Sequence, residues 1–168
     1  MSKHVLSILV ENRPGVLTRI AALFSRRGYN IEALAVGETE NPAISRMTVR
    51  VDVDILPLEQ VTKQLNKLVE VLKVVELAPE ASVQRHIILV KVRADAARRS
   101  QVLDLVSMFR ANIVDVSPES VIIEATGTTE KLEALLGLLE PYGVKELVQS
   151  GLVGLGRGSR SITDRAVR

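Results

Sequence analysis

The chain repeats itself. His4 recurs as His86 and the pair Asn30-Ile31 as Asn112-Ile113, an offset of 82 residues in a chain of 168. A period that long, taken twice, means two copies of one supersecondary unit, and whatever fold the first half adopts the second must adopt as well. In the first copy "HVLSILV" (4–10) reads as a buried strand. A helical pattern follows, with Val16, Leu17, Ile20, Leu23 and Phe24 recurring at three and four. "RRGYN" closes that helix, with Gly28 at its C-cap. "IEALAVGET" (31–39) is a strand, "ENPA" is turn chemistry, and "ISRMTVRVDV" (44–53) alternates like a half-buried strand. Pro57 opens a second helix with Leu58, Val61, Leu65, Leu68 and Leu72 on one stripe, and "VVEL" (74–77) is a short closing strand.

After the break "APEASVQ" the same order returns. "RHIILVKV" (85–92) is a strand and "SQVLDLVSMF" (100–109) a helix with Val102, Val106 and Phe109 on one face. "NIVDVSP" and "SVIIEATG" are strands, "TEKLEALLGLL" is a helix with Leu132, Leu135, Leu136 and Leu139 inward, and "VKELVQS" closes the set. The expected class is α+β: two ferredoxin-like βαββαβ units, each an antiparallel sheet covered by two helices. The expected boundaries are 3–78 for the first unit, 84–156 for the second and 157–168 for a basic tail.

Composition removes several function classes. There is no cysteine, so disulfides, thiolate catalysis and thiolate metal sites are excluded. No apolar run approaches the ~20 residues that span a bilayer, and "MSKHVLSILVENRPG" is too short in its apolar part for a secretory signal. The expectation is a cytoplasmic protein with no membrane partner. Its basicity is local: residues 151–168 carry Arg157, Arg160, Arg165 and Arg168 against Asp164, which leaves 18 basic and 19 acidic residues in 1–150. A nucleic-acid-binding body would carry its Lys and Arg on a broad face. Base stacking would also need sheet aromatics, and Phe24, Tyr29, Phe109 and Tyr142 all fall outside the strands. No nucleic-acid partner is expected.

Catalysis has little to stand on. His4 and His86 occupy equivalent strand starts, which suits a structural role. H-E-x-x-H, G-x-S-x-G and P-loop patterns are absent, and "GLVGLGRGSR" (151–160) does not sit between a strand and a long helix as a dinucleotide fingerprint does. The informative place is the first turn. Where the first unit has "ENRPGVL" (11–17), the second has "RADAARR" (93–99). Pro14 suits the first helical position and Gly15 leaves the helix entrance without a side chain. A helix N-terminus offers unpaired N–H groups and a partial positive charge, which suit a carboxylate, with Gly15 and Val16 the first donors after Pro14. Asn12 can offer its amide oxygen to an ammonium group. Asn30 stands at the far end of the same helix and would reach such a ligand only from a second copy of the unit placed alongside. Read as structure alone, Asn12 is a turn residue and Asn30 a helix stop.

The same residues resemble the ACT domain, the βαββαβ module that binds amino acids in many regulatory proteins. "SILVENRPGVLTRIAALFSRRGYNIEALAVGETENPAISRMTV" is similar to the N-terminal half of the small subunits of acetolactate synthase (acetohydroxyacid synthase), and "RHIILVKV" with "FRANIVDVSPESVIIEATGTTEKLEALLGLLEPYGVKELVQSGLVGLGRG" resembles their C-terminal half. The resemblance covers about residues 3–158 and makes the first unit an ACT domain. It implies a non-catalytic regulatory subunit that binds a large catalytic subunit, raises its activity and confers feedback inhibition by valine or another branched-chain amino acid. Thiamine diphosphate, Mg and FAD are expected only in that large subunit, and no cofactor or metal in this chain. The resemblance further implies a homodimer through the ACT domains, with the effector between protomers: Asn12, Gly15 and Val16 from one, Asn30 and Ile31 from the other. A free-standing ACT-type sensor of another enzyme or a transcription factor is the second reading.

Overall fold

The computed structural model describes residues 2–163. The last five residues, with Arg165 and Arg168 of the basic tail, lie outside the described residues. The elements in chain order are β1 (Ser2–Glu11), α1 (Val16–Arg26), β2 (Ile31–Glu38), β3 (Ile44–Val53), α2 (Ile55–Asn66), β4 (Val71–Glu76), β5 (Ser82–Arg93), α3 (Arg99–Met108), β6 (Asn112–Val116), β7 (Ser120–Gly127), α4 (Thr129–Leu139), β8 (Val144–Gln149) and β9 (Val153–Gly156). Short 3₁₀ turns cover Pro79–Ala81 and Glu140–Tyr142. Two antiparallel sheets result, ordered β2-β3-β1-β4 and β6-β7-β5-β8, with β9 pairing β5 off the second path. This is the doubled βαββαβ arrangement expected from the repeat.

The first unit closes because alternate residues of its central strands point at its helices. Leu6, Ile8 and Val10 of β1 and Met47, Val49 and Val51 of β3 form one core with Val16, Ile20 and Phe24 of α1 and Leu58, Val61 and Leu65 of α2. The second unit builds the same core from the equivalent positions. Ile88, Val90, Val92, Val102 and Val106 stand at the 82-residue offset, then Val121, Ile123, Ala125, Leu132, Leu135 and Leu139 at an offset of 74. The offset drops because β6 and β7 have shorter arms than β2 and β3 and are joined by a three-residue turn, 117–119, in place of the five residues 39–43. Both units carry the same two irregularities. The β1–β4 register slips between Leu9 and Val10 and the β5–β8 register between Lys91 and Val92. The β2–β3 register slips between Ile31 and Ala33 and the β6–β7 register between Ile113 and Asp115.

One sequence expectation changes. The stripe assigned to the second helix runs past its end: α2 stops at Asn66, and Leu72 lies in β4 as the extra residue of the first slip, half exposed. A bulged residue leaves the inward alternation, so the apolar spacing continued where the helix did not. Among the described residues, 151–163 group with 2–84, and the second unit is Arg85–Ser150. Leu152 is buried in a small cluster with Val5 and Leu77. Arg46 donates to the Gly154 carbonyl (3.3 Å), and the Arg157 N–H donates to the Ala81 carbonyl (2.8 Å). Gly151 sits so tightly on the Leu34–Ala35 peptide that a Cβ would come within 2.2 Å of the Leu34 oxygen. From Arg157 to Thr163 no side chain is buried. Among the described residues no helix is long and apolar enough to cross a membrane.

Candidate functional site

The β1–α1 turn ends on Gly15, the N-cap of α1, with φ 88° and ψ −13°. That left-handed backbone disfavours a side chain, and a Cβ built there meets nothing within 4 Å, so glycine is required by conformation and faces open space. No side chain caps α1, and its first turn holds no acidic residue. Among the described residues the N–H groups of Gly15, Leu17 and Thr18 meet no acceptor, while that of Val16 leans toward the Arg13 carbonyl at 3.5 Å. Unmatched donors and the positive end of the helix dipole therefore meet no side chain at this entrance. A carboxylate fits there.

Asn12 stands beside it, and its Nδ2 donates to Glu38 Oε1 (3.2 Å) and to the Pro42 carbonyl (2.9 Å). Its backbone N–H donates to the Ala43 carbonyl (2.8 Å). The turn is further tied down by ion pairs between Arg13 and Glu11 and between Arg19 and Glu70, and by the Glu11 N–H donating to the Glu70 carbonyl. Backbone hydrogen bonding at Glu70 and then the Arg19 guanidinium hold the Glu70 carboxyl below the usual carboxylate range.

Asn30 and Ile31 lie at the other end of α1. Eleven helical residues separate the ends by about 16 Å, too far for Asn30 to share a small ligand with Gly15 in one protomer. Asn30 is exposed, and Ile31 is half-buried against the first unit's core. Val16 is buried in that core, so only its backbone faces the turn. The apolar side chain that stays 44% exposed in the first helical turn is Leu17. Helical periodicity counts Leu17 among core residues, and only its N-terminal position, before the stripe is fully under the sheet, marks it out. β2 is an edge strand, with Asn30 just before its start and Glu38, which Asn12 contacts, at its end.

The second unit is closed where the first is open. Asp95 Oδ1 accepts from the Ala97 and Arg98 N–H groups (3.1 and 3.0 Å). The Arg99 guanidinium spans the turn, donating to the carbonyls of Ala94, Ser117 and Pro118 at 3.2, 2.8 and 2.9 Å. His4 stands in a line of hydrogen bonds, with Ser2 Oγ at 2.7 Å from its Nε2 and Glu76 Oε1 at 2.6 Å from its Nδ1. Ser2 Oγ also turns to the Val53 carbonyl, so the line fastens the free end of β1 to β3 and β4. Among the described residues no cluster of His, Cys, Asp or Glu is arranged to hold a metal ion.

A ferredoxin-like unit with an uncapped, glycine-opened helix entrance defines the ACT class of regulatory modules, and residues 6–73 match the family model described as the AHAS small subunit-like ACT domain. Residues 85–158 match the model described as the small subunit of acetolactate synthase. The chain is 61% identical to the acetolactate synthase small subunit of Mycobacterium bovis over 95% of both chains. It is 49% identical to a probable acetolactate synthase small subunit of Methanothermobacter thermautotrophicus, again over 95% of both. The crystal structure of the acetolactate synthase small subunit from Thermotoga maritima superposes with a TM-score of 0.87 at 42% identity, covering 95% of this chain and all of that one. The chain belongs to the acetolactate synthase small-subunit family.

Proposed function

We propose that this chain is the regulatory subunit of an acetolactate synthase. It binds a thiamine-diphosphate-dependent catalytic subunit, raises its activity and makes it sensitive to valine or another branched-chain amino acid. The thiamine diphosphate, Mg and FAD belong to that partner. The observation that carries the reading is the open α1 entrance with its three unmatched N–H groups. An amino acid would place its carboxylate there and its ammonium against the Asn12 oxygen. The second half of the site follows from the edge position of β2. Two copies of β2 paired antiparallel about a two-fold axis would centre near Leu34–Ala35. The start of one strand would then face the end of the other, which brings the partner's Asn30 and Ile31 to Glu38, Asn12 and Gly15. Such a homodimer would pair the β2 edge of each sheet and leave Gly151 in its place against the Leu34–Ala35 peptide. Leu17 and the partner's Ile31 supply apolar surface for a branched side chain, where each buried methylene is worth about 0.8 kcal/mol.

The test is reconstitution: purified chain is added to the large subunit, and acetolactate formation is followed against valine, leucine and isoleucine. Activation together with inhibition by at least one of the three is the expected result. A chain that recovers no large subunit in a pull-down would favour the free-standing sensor, which the matching length of the small-subunit relatives argues against.

A further inference from the structure

We infer that Glu38 and the hairpin 39–43 are positioning residues that set the polarity of the effector site, so that it accepts an α-amino acid and rejects the corresponding 2-oxo acid. The inference rests on the site proposed above. An amide carries two donor hydrogens on nitrogen and two lone pairs on oxygen. Both hydrogens of Asn12 Nδ2 are taken, by Glu38 Oε1 and the Pro42 carbonyl. What Asn12 retains for a ligand is an acceptor. Turned the other way, the same side chain would present donors and would suit a carbonyl.

The hairpin that does this is itself locked. The Thr39 N–H donates to the Ile44 carbonyl and the Ile44 N–H to the Asn41 carbonyl, each at 2.9 Å. Thr39 Oγ1 donates to the Ile44 carbonyl and accepts from the Asn41 N–H, and Asn41 Oδ1 accepts from the Ala43 N–H (3.0 Å). The Pro42 oxygen is thus held in place before any ligand arrives.

The second unit separates what folding needs from what the ligand needs. Its equivalent of Asn12 is Ala94, and the Ala94 N–H donates to the Glu119 carbonyl at 2.8 Å, just as the Asn12 N–H donates to the Ala43 carbonyl at 2.8 Å. The backbone latch between first turn and hairpin is common to both units. The longer hairpin and the carboxylate that hold a side chain exist only in the unit with Asn12. The fold is complete without them, so their work is on Asn12. An ammonium pairs with the oxygen that Asn12 retains. A 2-oxo group would set its lone pairs against that oxygen and leave it unpaired, the kind of mismatch on which polar sites discriminate most strongly.

Calorimetry on the purified 168-residue chain, with L-valine and 2-oxoisovalerate as the two probes, tests this. Wild type should prefer valine by at least about a hundredfold, the scale of two lost charge-assisted contacts. Glu38→Ala frees Asn12 to turn, and the preference should fall by about tenfold or more, through weaker valine and not through stronger oxo acid alone. Glu38→Gln retains an oxygen to accept from Asn12 and should keep the preference within about threefold of wild type. Melting temperature and dimer mass should stay put in both, since Glu38 is exposed. Should Glu38→Ala fail to dimerise, Asn41→Ala loosens the Pro42 carbonyl instead and should lower the preference in the same direction. An undiminished preference in the alanine variants overturns the inference. So does a Glu38→Gln variant as impaired as Glu38→Ala, which would make the charge and not the orientation decisive. A wild-type chain that takes up no valine removes the site itself, and that result is visible before any variant is made.

Discussion

The turn after β1 and the turn after β5 begin from the same fold and end in opposite states. In the first, Gly15 carries a left-handed backbone, no side chain caps the helix and three N–H groups are left unmatched. In the second, Asp95 caps the backbone from inside and the Arg99 guanidinium closes three carbonyls behind it. The supporting core is equivalent position by position. The same βαββαβ frame therefore carries either an open or a closed first turn, and a few residues there decide which.

The strongest way to break that contrast is to close the open turn. In Gly15→Asp a carboxylate would occupy the position proposed for the effector's own. Two like charges ~4 Å apart cost ~1 kcal/mol in water and ~4 kcal/mol at an effective dielectric of 20. Valine binding should weaken by about a hundredfold or more. The φ of 88° adds a folding cost of roughly 1–2 kcal/mol, partly offset by the helix dipole, so the variant should still fold and activate a large subunit. Titration calorimetry that finds binding intact would remove Gly15 from the site.

Next in size is Gly151→Ala, directed at a difference away from the turns. The first unit holds the 151–156 segment as a guest, and the added methyl would run into the Leu34 carbonyl. Overpacking of this kind costs about 1–3 kcal/mol, several degrees in melting temperature. Gly156→Ala, where a Cβ meets nothing within 4 Å, should cost little and serves as the control. Equal melting temperatures for the two would contradict the seat of Gly151.

Opening the closed turn should do less. Arg99→Ala removes a charge-assisted donor from three carbonyls and should cost about 1–2 kcal/mol by chemical denaturation. It should create no second valine site, because the Asp95 carboxylate still occupies the donors of that turn. A second equivalent of bound valine would show that Arg99 alone keeps the second unit shut.

The smallest effect is on pH. The folded chain holds Glu70 below its ordinary value, so the unfolded state takes up its proton first as pH falls. The stabilisation from this group is complete above the unfolded carboxylate range and is lost as pH drops through the lowered folded value. Denaturation at pH 7 and at pH 3 should show a smaller acid loss for Arg19→Gln than for wild type, since part of the lowering has been removed. An equal loss would place the cause elsewhere.

Much of this was legible in the residues. The repeat, the strand and helix order and the bare glycine all express themselves through local periodicity and turn chemistry. The path of residues 151–156 does not. "GLVGLG" has the composition of a flexible tail, yet one leucine buried against Val5 and Leu77 and the small size of Gly151 and Gly154 let it lie against the first unit. Absence of side chains reads as looseness in a sequence, and here it is closeness. The orientation of Asn12 was also hidden, because it is set by Glu38 and Pro42, 26 and 30 residues away. Leu72 misled for the opposite reason: a bulge carried a helical spacing into a strand.

The paired irregularities of the two sheets speak to ancestry. A regular strand is what physics favours from any suitable starting sequence, so two regular strands are no proof of kinship. A slip in register is a particular accident, and this molecule has two of them, each occurring twice at the same place in the count. Such shared faults are how copied texts are traced to one original. The open and the closed unit share these slips as well as their order of elements, and they part company at their first turns.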